Sequence, residues 1–141
     1  LDINTGQARP VTPEGIRGTI LSPDGKLAVV VDSQGKSLIW PLEGGDPKPV
    51  AGLGANERIF AWTGDGKNLY ISPVSGPDVQ PRKIYVLDPA TGKRQLWRTI
   101  APPDLTGIVG VAIPHISADG RAYAYTYVRA LGDLYVIDGV K

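Results

Sequence analysis

An all-β repeat fold is what the sequence of this chain predicts, on three observations. One short phrase occurs three times: Ser22-Pro23-Asp24-Gly25-Lys26, Thr63-Gly64-Asp65-Gly66-Lys67 and Ser117-Ala118-Asp119-Gly120-Arg121. Each copy is followed by an apolar run, a break and a second apolar run. The second run keeps one pattern of aliphatic, aromatic, apolar, aliphatic and acid: Ile39-Trp40-Pro41-Leu42-Glu43, Ile84-Tyr85-Val86-Leu87-Asp88 and Leu134-Tyr135-Val136-Ile137-Asp138. Asp24 and Asp65 are 41 residues apart, within the ~40–45 of a four-stranded blade. Together these predict a partial β-propeller of about three four-stranded antiparallel blades, stacked radially.

The phrase has a physical cause. Asp-Gly between two apolar segments is a hairpin signal, because Gly accepts positive φ and Asp satisfies local backbone donors. The hydroxyl residue two places earlier can bond within the turn, and the basic residue after it keeps the tip in water. Asp24, Gly25, Asp65, Gly66, Asp119 and Gly120 are therefore expected to be structural turn residues.

The elements follow in order. Residues 1–12 read as the end of one blade, with strands at 1–3 and 8–12. Leu1-Asp2-Ile3-Asn4-Thr5-Gly6-Gln7 matches Leu87-Asp88-Pro89-Ala90-Thr91-Gly92-Lys93. A blade at 13–53 has strands at 18–21, 27–31, 38–42 and 49–52. The next, at 54–107, has strands at 58–62, 68–72, 83–87 and 95–100. Its Asp65-to-Asp119 spacing of 54 carries 13 surplus residues, which fall in loops at 72–81 and 101–107. The last, at 108–141, has strands at 109–116, 122–128 and 133–137. No window carries a sustained helical period with caps, so almost no helix is expected.

Patterning agrees with stacked sheets. Leu27-Ala28-Val29-Val30-Val31 is apolar on both faces, as a strand between two neighbours should be. Tyr123, Tyr125 and Tyr127 alternate with small residues, an aromatic row expected to pack blade against blade rather than stack a ligand. Trp40, Trp62 and Trp97 are expected to pack as well. Fewer than four blades cannot close a ring, so we expect a fragment of a larger propeller, completed by missing blades of the same parent chain.

Composition narrows the function classes. Fifteen basic and 14 acidic residues give a net charge of +1, and no basic stripe supports nucleic-acid binding. No apolar run approaches the ~20 residues of a membrane span. With no cysteine, disulfides and thiol catalysis are excluded. Eighteen Gly and 13 Pro between apolar segments suit many short strands joined by tight turns.

The Ser22–Lys26 turn with its following strand, and then Trp40-Pro41-Leu42-Glu43-Gly44-Gly45, resembles the WD40-like (TolB-type, PD40) β-propeller repeats of bacteria. The closing stretch from Ser117 to Gly139 resembles the C-terminal end of propellers attached to bacterial receptor-like serine/threonine protein kinases. The Gly-His and Trp-Asp pairs of true WD40 repeats are absent, so that hydrogen-bond network is not expected. The resemblance implies a sensor or interaction module. It would be extracytoplasmic or periplasmic if attached to a membrane-bound kinase, and otherwise cytoplasmic.

Chemistry-bearing constellations are not found. Val111-Ala112-Ile113 is followed by Pro114 rather than a phosphate-binding lysine, and there is no His-Arg-Asp, Asp-Phe-Gly or Gly-x-Ser-x-Gly. Gly52-Leu53-Gly54-Ala55 has no following helix and reads as a loop. His115, the one histidine, is expected to be a structural residue bonded to backbone. Asp24, Asp65 and Asp119 lack the dense oxygen donors of a calcium loop. No catalytic, cofactor or metal residue is assigned. The expected role is non-catalytic recognition of a protein or peptide. The alternative is the propeller portion of an enzyme such as a prolyl-oligopeptidase-like serine peptidase.

Overall fold

The computed structural model of the chain describes residues 6–8, 10–76 and 80–132. The strands expected at 1–3 and 133–137 lie outside them. Among the described residues the fold is all-β, with twelve strands and no helix. Strands β1 (Arg17–Leu21), β2 (Leu27–Val31), β3 (Ser37–Pro41) and β4 (Lys48–Pro49) form one antiparallel sheet in that order. Strands β5 (Glu57–Trp62), β6 (Leu69–Pro73), β7 (Arg82–Leu87) and β8 (Arg94–Ile100) form the second. In the third, β9 (Ile108–Val111), β10 (His115–Ile116), β11 (Tyr123–Ala124) and β12 (Tyr127–Arg129) make one long hairpin. It pairs in two pieces, β10 with β11 beside the turn and β9 with β12 beyond it.

Three expectations at strand level are corrected. No strand forms at 10–12, where Pro10 and Pro13 remove ladder donors. β4 is only Lys48–Pro49, because Pro47 and Pro49 again lack N–H groups; one further bond, Val50 N–H to the Ser37 carbonyl at 3.0 Å, prolongs it. The strand expected at 109–116 is broken between Val111 and His115, and its partner at 122–128 between Ala124 and Tyr127. The Ala112 N–H still donates to the Thr126 carbonyl at 2.9 Å inside the gap.

That gap obeys the repeat. β1 loses register between Arg17 and Ile20, and β5 between Ile59 and Ala61. Counting back three residues from the turn hydroxyl gives Thr19, Phe60 and Pro114. Each inner strand is therefore irregular at the same place, and a proline is tolerated at 114 because that position makes no regular ladder bond.

The sheets stack face to face. Between the first and second lie buried Val29, Ile59, Trp62, Leu69, Ile71 and Leu87, flanked by Ile20, Leu27, Ile39 and Tyr85. Between the second and third lie Tyr70, Ile84, Ile100, Ile108 and Val111, flanked by Phe60, Trp97, Ile116 and Tyr125. Alternation on the second sheet makes this possible: on β6, Leu69 and Ile71 serve one core while Tyr70 serves the other. The innermost strands β1 and β5 also approach each other, joined by the Trp62 indole N–H donating to the Ile20 carbonyl at 2.9 Å. This is propeller-like radial stacking, and the described residues form no closed barrel.

One charge is buried in the second core. Arg82 is 8% exposed and spans the two sheets, donating from Nε to the Val111 carbonyl at 2.6 Å and from Nη1 to Ser72 Oγ and the Pro73 carbonyl, both at 2.9 Å. Burial lowers its pKa, and the carbonyl acceptors compensate for lost water. Nothing in the strand pattern announced it.

Candidate functional site

Each inner strand has two ends, and they differ. At one end sits the hairpin turn built by the repeated phrase. Ser22 Oγ donates to Asp24 Oδ1 at 2.6 Å and accepts from the Leu27 N–H at 2.9 Å; Asp24 Oδ1 accepts from the Lys26 N–H at 3.1 Å. Thr63, Asp65, Lys67 and Asn68 repeat this at 2.6, 3.1 and 3.0 Å. Ser117, Asp119, Arg121 and Ala122 repeat it again at the same distances. Gly25, Gly66 and Gly120 have φ of 70°, 68° and 68°, the left-handed region that costs a side chain about 1–2 kcal/mol. These six residues lie in three turns with the same hydrogen-bond pattern and nearly the same glycine φ.

Gly25→Val should accordingly destabilise the protein by about 1–2 kcal/mol, more than Asp24→Ala does. No atom lies within 4 Å of an added Cβ at Gly25, so the cost is one of backbone strain alone. Thermal melts of the two variants check this; equal losses would mean that the bend does not depend on positive φ.

The same turns carry a pH signature. The Ser22 hydroxyl and then the Lys26 N–H hold the Asp24 carboxyl below its ordinary 3.8, and the equivalent donors do so for Asp65 and Asp119. A carboxylate with a lowered folded-state pKa stabilises fully above its unfolded value and loses that contribution as pH falls through the folded one. The melting temperature should therefore be insensitive to these groups near neutrality and fall as pH drops below about 4. Ser117→Ala should flatten that decline in melts run between pH 2 and 6.

The opposite end of the inner strands is irregular. It holds the loop between β2 and β3, the loop between β6 and β7, and the connections entering β5 and β9. Asn56 and Ser75 lock two of these together: Asn56 Nδ2 donates to the Ser75 carbonyl and Ser75 Oγ to Asn56 Oδ1, each at 2.7 Å. Glu57 Oε2 accepts from the Gly54 N–H at 2.8 Å, and its Oε1 from Arg94 at 2.6 Å. A groove of about 500 Å³ runs along residues 54–57 and 73–76. The connection at 101–107 is tied down by the Arg129–Asp104 ion pair at 3.2 Å and by the Ala130 N–H to the Gly107 carbonyl at 2.8 Å. Gln80 Nε2 reaches the Ile108 carbonyl at 2.6 Å, joining the two loops across the sheets. Residues 77–79 of the 72–81 loop lie outside the described residues.

The tyrosine row packs against the second sheet only in part: Tyr125 joins the core there, whereas Tyr123 and Tyr127, expected to pack as well, are 38% and 46% exposed. Trp97 meets Tyr123 edge-on at 5.9 Å, and Tyr123, Tyr125 and Tyr127 follow one another at 6.2 and 6.4 Å. Tyr125 donates to the Ala101 carbonyl at 3.0 Å, which makes it a packing residue with its hydroxyl satisfied. Trp62 is buried, whereas Trp40 and Trp97 are half-buried.

His115 departs from expectation. It lies on β10 but is exposed, and its ring has no hydrogen-bond partner among the described residues. The irregularity at Pro114 sets it at the inner edge of the third sheet, beside a cleft that Arg58 also lines. Sequence reasoning missed Arg58, although it shares a repeat position with Arg17, five residues before the turn hydroxyl. Among the described residues, no three His, Asp or Glu side chains are grouped to hold a metal ion. Compared with known proteins, the chain matches no family model and no curated protein.

Proposed function

We propose that this chain is a non-catalytic recognition module, a propeller scaffold whose irregular rim holds a protein or peptide partner. One observation carries the reading. Both surplus loops of the second repeat, 72–81 between β6 and β7 and 101–107 between β8 and β9, lie at one end of the strands, while the three unvaried turns occupy the other. Elaboration confined to one rim of a rigid scaffold is how loops acquire binding specificity without disturbing a core. Side-chain clamps such as Asn56–Ser75 and Arg129–Asp104 hold that rim in advance, which lowers the entropy lost on binding.

The resemblance to TolB-type repeats and kinase-attached propellers supports a parent of the bacterial signalling class, with this segment as its sensor portion. Photo-crosslinking side chains placed singly at Ala55, Ser75 and Pro103 should yield partner adducts in cell extract. The same probe at Lys26, Lys67 and Arg121 should not. Adducts from the turn positions, or hydrolytic turnover by the chain that His115→Ala abolishes, would overturn the proposal.

A further inference from the structure

The inner strands of the three sheets border a cleft of about 330 Å³, lined by Ile20 of β1, residues 58–60 of β5 and residues 113–115 before and on β10. We propose that this axial cleft binds a carboxylate group carried on a small apolar body. The rim recognition described above neither requires nor predicts it.

Charge is the first argument. Arg58 and His115 lie on inner strands of adjacent sheets and line the same space. Among the described residues, neither has a hydrogen-bond or ion-pair partner. The adjacent Glu57 makes no ion pair with Arg58; its carboxylate is engaged by Arg94 and by the Gly54 N–H instead. An arginine fork matches a carboxylate in two parallel hydrogen bonds, and an imidazole N–H supplies a further donor.

The walls are the second argument. Ile20, Ile59, Phe60, Ile113 and Pro114 make up the rest of the lining, and Ile59 and Pro114 are themselves buried. Apolar walls reward an apolar ligand body, and Arg58 and His115, both exposed, remain accessible to its carboxylate. The volume lies near the ~300 Å³ lower end of ligand sites, enough for one ring or one aliphatic side chain. One guanidinium and one imidazole suit a single negative charge. A phosphate dianion would call for more donors.

Heteronuclear NMR titration of the full chain tests the proposal with 3-phenylpropionate, its amide, inorganic phosphate, and a tetrapeptide ending in Phe as free acid or C-terminal amide. At least one of the two carboxylate probes should saturate, shifting the amides of residues 58–60 and 113–115. Saturation by 3-phenylpropionate identifies a free acid as sufficient; saturation by the peptide acid alone identifies a chain terminus. Arg58→Ala should weaken binding about 10- to 100-fold. Arg58→Lys, which keeps the charge and the aliphatic stem, should weaken it less, and His115→Ala should weaken it measurably. Lys48→Ala, remote on β4, should leave it unchanged, and melting temperatures of all variants establish that they are folded. Binding of the amides or of phosphate as tight as that of the acids overturns the assignment, as does binding insensitive to Arg58 or no binding at all. Rim crosslinking is read independently, so either proposal can fail while the other stands.

Discussion

Replacing Ile71 with alanine, or Ile84 with alanine, should each lower the unfolding free energy by about 3–4 kcal/mol. Both side chains are fully buried, yet they belong to different cores. Ile71 packs between the first and second sheets, and Ile84 between the second and third. Truncation removes three methyl or methylene groups and leaves a cavity that interdigitated sheets can only partly close. Urea denaturation followed by tryptophan fluorescence reads the effect as a shift in midpoint at constant slope. The pair tests more than packing. In a stack of repeats, stability is a sum of unit and nearest-neighbour contributions, so comparable losses from the two positions mean that the third sheet folds cooperatively with the other two. A full loss at Ile71 with none at Ile84 would make the third sheet a loosely attached hairpin, and would remove the radial stacking on which the axial cleft depends.

Much of this architecture was legible in the sequence because it rests on short-range causes. The Asp-Gly phrase encodes its bend within five residues, so the three turns could be placed and their hydrogen bonds anticipated. Strand alternation is equally local, and β2 could be read as two-sided from its unbroken apolar run. What remained hidden depends on distant parts of the chain. Proline at 47, 49 and 114 acts through a missing donor, and whether that matters depends on which edge the residue occupies. Arg82 drew no attention in the sequence, falling between the loop at 72–81 and the strand expected at 83–87. Its burial follows from carbonyl groups supplied by Pro73 and, 29 residues away, Val111. The cleft behaves likewise: Arg58 and His115 are 57 residues apart, and only stacking of their sheets brings them to one space.

Gly64→Ala should cost about 2–3 kcal/mol, the upper part of the range for overpacking, although nothing about its backbone demands glycine. Its φ is not positive, and the equivalent positions in the other turns carry Pro23 and Ala118. The requirement comes from the neighbouring repeat: a Cβ on Gly64 would penetrate the carbonyl oxygen of Ala118, which is main chain and cannot rotate away. The turns of the second and third sheets would have to part, and with them the seam lined by Tyr70, whose hydroxyl lies against Gly120 at 3.2 Å from that residue's added Cβ. Gly110→Ala is the matched control. It also has ordinary φ, sits on β9, and has no atom within 4 Å of an added Cβ, so its effect should lie near zero or be slightly stabilising. Denaturation midpoints of the two variants separate the cases. Equal midpoints would mean that the turns are independent bends rather than a packed row, and that the sheets are held together by their cores alone.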